Sequence, residues 1–250
     1  MIRRYFITLS YSGKNYCGWQ IQPNAISVQQ TLQEAMSTLM RKKIDIVGAG
    51  RTDSGVHARE MIAHFDWEES DFDTNELCMK LNRFLPKDIS IHSIKEVSAD
   101  AHARFSAVSR TYSYCITQIK DPFLHDLKCR IYFDPDIKMM NQLCEILKET
   151  DDFTSFSKLH TDVKTNICNV KYAQWDSIGG DFVFTIQADR FLRNMVRSIV
   201  GTLLQAGRGR LGEAEFRQII QAKNRCAAGE SAPAHALFLE KVEYSQDIWI

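Results

Sequence analysis

Two successive runs of one order, strand, helix, strand, strand, helix, strand, constrain the fold of this chain more than any other feature of its sequence. In the first run, Arg3–Tyr11 places Tyr5, Ile7, Leu9 and Tyr11 on one face, the period of a strand. Ser27 followed by Gln30 has the spacing of a capping box, and Val28, Leu32, Ala35 and Leu39 recur behind it at helical intervals. A short strand over 44–47, a glycine-rich turn and a strand over 61–66 come next. Leu77, Leu81 and Leu85, four apart, predict a helix stopped by Pro86, and Ile89–Val97 predicts a closing strand. The second run reads as a strand over 110–117, a helix over 137–149, strands over 165–175 and Asp181–Ala188, helices over 191–206 and 213–222, and a last strand Leu237–Tyr244. Repetition of this order predicts an α+β fold. Two βαββαβ halves, 1–103 and 104–250, would form a mixed, mostly antiparallel sheet with helices on one face and a cleft between the halves.

At 250 residues and 44% hydrophobic content the chain can bury a sizeable core. No stretch approaches the roughly 20 apolar residues of a membrane span, and the start, MIRRYFITLSYSG, has no signal-peptide hydrophobic core, so a cytoplasmic protein without membrane association is expected. Its seven cysteines are scattered, with no two separated by two to four residues, which argues against a disulfide framework and against a zinc site. No metal is expected. Lys plus Arg equals Asp plus Glu at 31 each, yet the charges are unevenly placed. Asp66, Glu68, Glu69, Asp71, Asp73 and Glu76 form an acidic run without a base, whereas residues 189–210 hold five arginines against one acid. A neutral total can therefore conceal a basic face of the kind that binds phosphate.

The segment GAGRTDSGVHA at 48–58 sets three glycines around Asp53, which lets a ligand approach the backbone closely and makes the carboxylate a candidate nucleophile or base. A plain turn in which Asp53 bonds its own backbone has the same local signature. The segment resembles the catalytic-aspartate motif of the TruA family of tRNA pseudouridine synthases, GxGRTDxGVHA. That resemblance gives Asp53 the catalytic role and Arg51 the role of splaying the target base out of the RNA. HARFSA at 102–107 leads into Arg110, Thr111 and Tyr112, similar to the family's arginine-x-tyrosine motif, and Tyr112 takes the place of the tyrosine that stacks on the uracil. Read from its strand alone, Tyr112 is a core residue or a cross-strand partner. FLRNMVRSIVG at 191–201 resembles FLxxMVRxIVG, whose arginine pairs with the catalytic aspartate, and the role falls on Arg197. Its apolar neighbours demand a charged partner if the guanidinium is buried; otherwise it snorkels to solvent.

DFTSF at 152–156 and AAGESAPA at 227–234 extend the resemblance over nearly the whole chain. Thr165-Asn166-Ile167-Cys168 departs from a TxRxI strand, and Ala236-Leu237-Phe238-Leu239 departs from GLxL; neither touches the three motifs above. Gly207-Arg208-Gly209-Arg210-Leu211-Gly212 satisfies the dinucleotide pattern GxGxxG but follows a helix rather than a strand, so Gly207 reads as the helix stop. Arg193, Arg208 and Arg210 are then candidate RNA contacts. What the resemblance implies is a cofactor-free isomerase that converts uridine to pseudouridine at positions 38, 39 and 40 of the tRNA anticodon stem-loop and works as a homodimer. The competing readings are a non-catalytic RNA-binding protein with the same basic cleft and, more remotely, a hydrolase using Ser54.

Overall fold

The computed structural model describes residues 2–68, 73–158 and 165–250, so Glu69 and Asp71 of the acidic run lie outside the described residues. The chain divides into two compact units, Met1–Val108 with Leu239–Ile250, and Ser109–Phe238.

In the first unit β1 (Arg3–Tyr11) runs antiparallel to both β3 (His57–Trp67) and β4 (Ile89–Val97). Strand β3 also carries the two-residue β2 (Val47–Gly48) and neighbours β9 (Leu237–Tyr244), which joins this unit from Leu239 onward. Helix α1 (Val28–Met40) packs on α2 (Thr74–Phe84), and α2 packs on β4. The alternation of β1 is realised, with Tyr5, Ile7, Leu9 and Tyr11 all buried. Phe6, on the opposite face, is 1% exposed as well. The C-terminal residues cover it: its ring meets Tyr244 edge-on at 5.0 Å and Trp249 at 5.8 Å.

The cap expected at the head of α1 forms, and α2 has one that its apolar spacing did not announce. Ser27 accepts the Gln30 N–H and caps α1, and Asp73 accepts the N–H groups of Asn75 and Glu76 at the head of α2. Only half of the expected capping box forms, because the Gln30 side chain turns along the helix to Glu34. The strand expected over 44–47 shrinks to Val47–Gly48. Side chains of α1 take its backbone groups instead: Ser37 accepts the Ile44 N–H, Gln33 accepts the Ile46 N–H, and Gln29 donates to the Ile46 carbonyl. Conversely β3 starts four residues before the expected 61, because Ala58 already pairs with Tyr11.

In the second unit β8 (Asp181–Ala188) lies between β5 (Ala107–Thr117) and β7 (Val170–Ile178), antiparallel to both, and β6 (Cys129–Arg130) adds a short parallel pairing to β5. The β7–β8 hairpin turns through Gly179 and Gly180, both at positive φ. Helix α3 (Ile137–Lys148) packs on β7, α4 (Met195–Gly207) and α5 (Glu213–Gln221) pack on α3, and the Asn141 amide locks α3 to β7 by bonding both the N–H and the carbonyl of Trp175. Residues 165–169, expected within β7, pair instead with the loop before them: Phe153 donates to the Asn166 carbonyl and Cys168 to the Asp151 carbonyl. Helix α4 begins at Met195, four residues later than expected, because Asn194 adopts a left-handed φ of 66°. It also runs through Gly207, and Gly209 (φ 71°) takes the left-handed turn assigned to Gly207.

One buried group makes stability depend on pH. His64 on β3 is 6% exposed, and its Nδ1 accepts the Ala103 N–H at 3.1 Å. Burial first, then the charges of Arg4 and His102, lower its pKa from 6.5 to about 4. Below pH 6.5 the unfolded chain takes up a proton at this ring that the folded chain refuses until about pH 4, so stability falls across that window. The expected loss is about 3 kcal/mol between pH 7 and pH 4. Denaturant unfolding at both pH values should register it, and His64→Gln should flatten the slope; an unchanged slope in that variant assigns the acid sensitivity to other groups.

Candidate active site

Asp53 stands in the connection between β2 and β3, on a backbone held from several directions. The Ala49 N–H donates to the Ile62 carbonyl, the Thr52 carbonyl accepts the Trp19 N–H, and the Val56 N–H closes a turn onto the Asp53 carbonyl. Gly55 sits at φ 79°, a left-handed position that disfavours any other residue. Gly48 serves a different purpose from the ligand approach expected of it: a Cβ there would strike the Trp19 indole, so the space is filled by the protein itself. Gly50 does face open space, with no atom within 4 Å of a Cβ position. Asp53 is half-buried and Arg51 beside it is exposed.

Ser54 is turned away from hydrolase chemistry. Its hydroxyl donates to the Tyr16 carbonyl, whereas a triad serine must donate to a histidine nitrogen. His57, the first residue of β3, is buried, with Nδ1 accepting the Gly13 N–H at 3.0 Å.

The other expected site residues lie in the second unit. Tyr112 shares a face of β5 with Tyr114 and Ile116, which are wholly buried, while Tyr112 itself is half-buried and meets the Phe191 ring edge-on at 5.1 Å. The FLRNMVRSIVG and tyrosine motifs are thus in contact. Arg197 on α4 is half-buried among Met195, Val196, Ser198, Ile199 and Val200, all buried. It does not simply snorkel outward. Its Nε donates to the Ala232 carbonyl at 2.7 Å, while the Ala232 N–H returns a bond to the Arg197 carbonyl. The AAGESAPA segment therefore lies along α4 and orients this guanidinium, aided by Thr202 accepting the Gly229 N–H and by the Asn194 amide on Ser231. Burial pushes the Tyr114 hydroxyl pKa up, and Arg197 is close enough for its charge to oppose that rise. Arg193, Arg208 and Arg210 are all exposed, and Arg208 lies over the Phe133 ring at 4.3 Å. Among the described residues no three His, Cys, Asp or Glu side chains converge as a metal site would require, and no helix is long and apolar enough to cross a membrane.

A family profile described as tRNA pseudouridine synthase matches residues 7–106 and 145–245, most of the chain. The chain belongs to the tRNA pseudouridine synthase family. It is 58% identical to tRNA pseudouridine synthase A of Parabacteroides distasonis over 248 residues, which cover 99% of this chain and 98% of that protein. Identity to the Bacteroides fragilis protein of the same name is 55% over 249 residues, 99% of each chain. With the more distant Colwellia psychrerythraea tRNA pseudouridine synthase A it is 37% over 246 residues, covering 98% of this chain and 95% of that one. The resemblance drawn from the sequence motifs is borne out. Asp53 and Arg51 fall in the first matched segment, Arg193, Arg197, Arg208 and Arg210 in the second, and Tyr112 in the stretch between the two.

Proposed function

We propose that the chain isomerises uridine to pseudouridine at positions 38, 39 and 40 of the tRNA anticodon stem-loop, without a cofactor, as a homodimer in the cytoplasm. The observation that carries this reading is the full-length similarity to tRNA pseudouridine synthases, and the resemblance of GAGRTDSGVHA to the catalytic-aspartate motif supports the role of Asp53.

Chemistry at a glycosidic bond cannot proceed on a base stacked in a helix, so the uridine must first be extruded. Arg51, exposed beside the catalytic loop, is the wedge that takes the vacated space. Asp53 initiates cleavage of the bond from N1 to C1′ of the ribose. The freed uracil then turns, held against the Tyr112 ring, and C5 bonds to C1′. The proton on C5 leaves and N1 gains one, so the reaction is balanced without an oxidant, reductant or group donor. Arg197 supplies the positive charge that orients the Asp53 carboxylate, and its fixed bond to the Ala232 carbonyl defines its own position.

Arg193, Arg208 and Arg210 serve as phosphate contacts. Each true contact contributes a slope of roughly −0.7 to −0.9 to a plot of log affinity against log salt, so three predict a slope between about −2 and −3. Filter binding of tRNA across salt concentrations measures it. A slope near zero would remove the basic face. The cellular activity is tested by mapping pseudouridine in tRNA from cells with and without this protein. Loss of the modification at 38, 39 and 40 is expected, and its persistence at all three would refute the assignment.

A further inference from the structure

The loop that carries Asp53 is gripped by a part of the chain outside its motif. Tyr11, the last residue of β1, and the segment that follows lie along the backbone from Thr52 to Val56. Thr52 is held at both of its oxygens. Its carbonyl accepts the Trp19 N–H at 3.3 Å, and its hydroxyl shares a hydrogen bond with the Tyr11 phenol at 2.8 Å. Beyond Asp53, the Gly55 N–H and the Ser54 hydroxyl both donate to the Tyr16 carbonyl at 3.3 Å. The backbones touch because Gly18 has φ 86° and no side chain: a Cβ there would overlap the Thr52 carbonyl oxygen. The gripping segment is itself anchored, since Asp88 accepts the Tyr16 hydroxyl at 2.7 Å and the Asp88 carbonyl accepts the Ser12 N–H.

We propose that Tyr11 is a positioning residue for the isomerisation: through Thr52 it fixes the peptide that leads into Asp53, and so sets where the carboxylate stands against the uridine. The proposal rests on the reading of Asp53 as the catalytic carboxylate. A loop with glycines at 48, 50 and 55 has little intrinsic preference for one conformation, so its definition must come from outside. Tyr11 is suited to supply it. The residue is 4% exposed, its ring lies 6.2 Å from that of Trp19, and its backbone belongs to a strand paired on both sides. A phenol held this rigidly transmits the position of the sheet to the side chain of Thr52, one residue from the reacting group. Displacing a catalytic group by about 1 Å can cost ~100-fold in rate, which makes a single well-directed bond next to it consequential.

The test compares Thr52→Val, Thr52→Ser, Tyr11→Phe and the double variant Tyr11→Phe/Thr52→Val with wild type, reading kcat, KM and affinity for tRNA, and Tm, with Asp53→Asn as reference. Thr52→Val and Tyr11→Phe are each expected to lower kcat about tenfold while KM and tRNA affinity stay within about threefold. Thr52→Ser, which keeps the hydroxyl, is expected to stay within about threefold of wild-type kcat. The double variant should be no slower than the slower single one, because both remove the same bond. Wild-type kcat in Thr52→Val alongside an inactive Asp53→Asn would overturn the proposal. So would a loss of kcat that tracks weaker tRNA binding or a lowered Tm, the mark of a merely structural bond. Turnover by Asp53→Asn would instead overturn the catalytic reading on which the proposal rests.

Discussion

Asp53→Asn is expected to abolish conversion of uridine to pseudouridine while leaving tRNA affinity within a few-fold of wild type. The amide keeps the shape of the carboxylate and loses its charge, so what disappears is the interaction made with the reacting centre rather than the fit of the RNA. The surrounding loop gives no reason for it to collapse. Its backbone is held by Trp19, Tyr16 and Ile62 through bonds that do not involve the Asp53 side chain. Turnover should fall below about one thousandth of wild type, which corresponds to about 4 kcal/mol of lost transition-state stabilisation. Single-turnover assays on anticodon stem-loop RNA measure the rate, and filter binding measures the affinity. Residual turnover above that level would contradict the assignment of Asp53.

Arg197→Met is expected to be nearly as damaging for a different reason. Methionine fills much of the same volume as the arginine stem, so packing is largely preserved and the change is one of charge. If Arg197 supplies the charge that faces Asp53, as proposed, its removal leaves that carboxylate uncompensated, and kcat should fall by at least about 100-fold, or about 3 kcal/mol. If Arg197 acts through Asp53, Asp53→Asn in the Arg197→Met background should cost almost nothing further, so the two losses are strongly non-additive. Arg197→Lys sharpens the test. Lysine restores the charge but its single terminal amine cannot reproduce the bond from Nε to the Ala232 carbonyl, so activity should lie between methionine and wild type. Near-normal turnover in Arg197→Met would make Arg197 one more arginine on a helix.

The parts of the fold legible in the sequence are those decided locally. Helices α1 and α2 announce themselves by apolar spacing, and α1 also by Ser27 at its head, because a cap and a stripe involve residues within one or two turns. β1 is legible by its period. What escaped the sequence was decided by distant partners. Ile44 and Ile46 look like a strand, yet their backbone groups are claimed by Ser37, Gln33 and Gln29 on α1. Nothing in the pattern of β1 says that Phe6 would need a cover from Tyr244 and Trp249.

At the candidate site the same division holds. Motifs single out Asp53, Arg51 and Arg197 as candidates but give no sign of the grip on the Asp53 loop, since Tyr11 fits the alternation of β1 so well that it reads as core. Gly13 and Gly18, set among Tyr11, Tyr16 and Trp19, were the available signal: glycines between large aromatic residues mark a place where two backbones meet. The helix stop was misplaced by two residues because Gly207 and Gly209 are both plausible on sequence. Gly207 is needed for contact, since a Cβ there would crowd the Met140 sulfur, and Gly209 supplies the left-handed turn.

Release of the C5 proton distinguishes isomerisation from every competing reading, because forming the bond from C5 to C1′ expels that proton and neither RNA binding nor acyl hydrolysis touches it. The purified chain incubated with tRNA carrying tritium at uridine C5, in buffer without a methyl donor, should release one tritium to water for each pseudouridine formed, and Asp53→Asn should release none. Tight binding of that tRNA without tritium release would contradict isomerisation and leave an RNA-binding protein in its place.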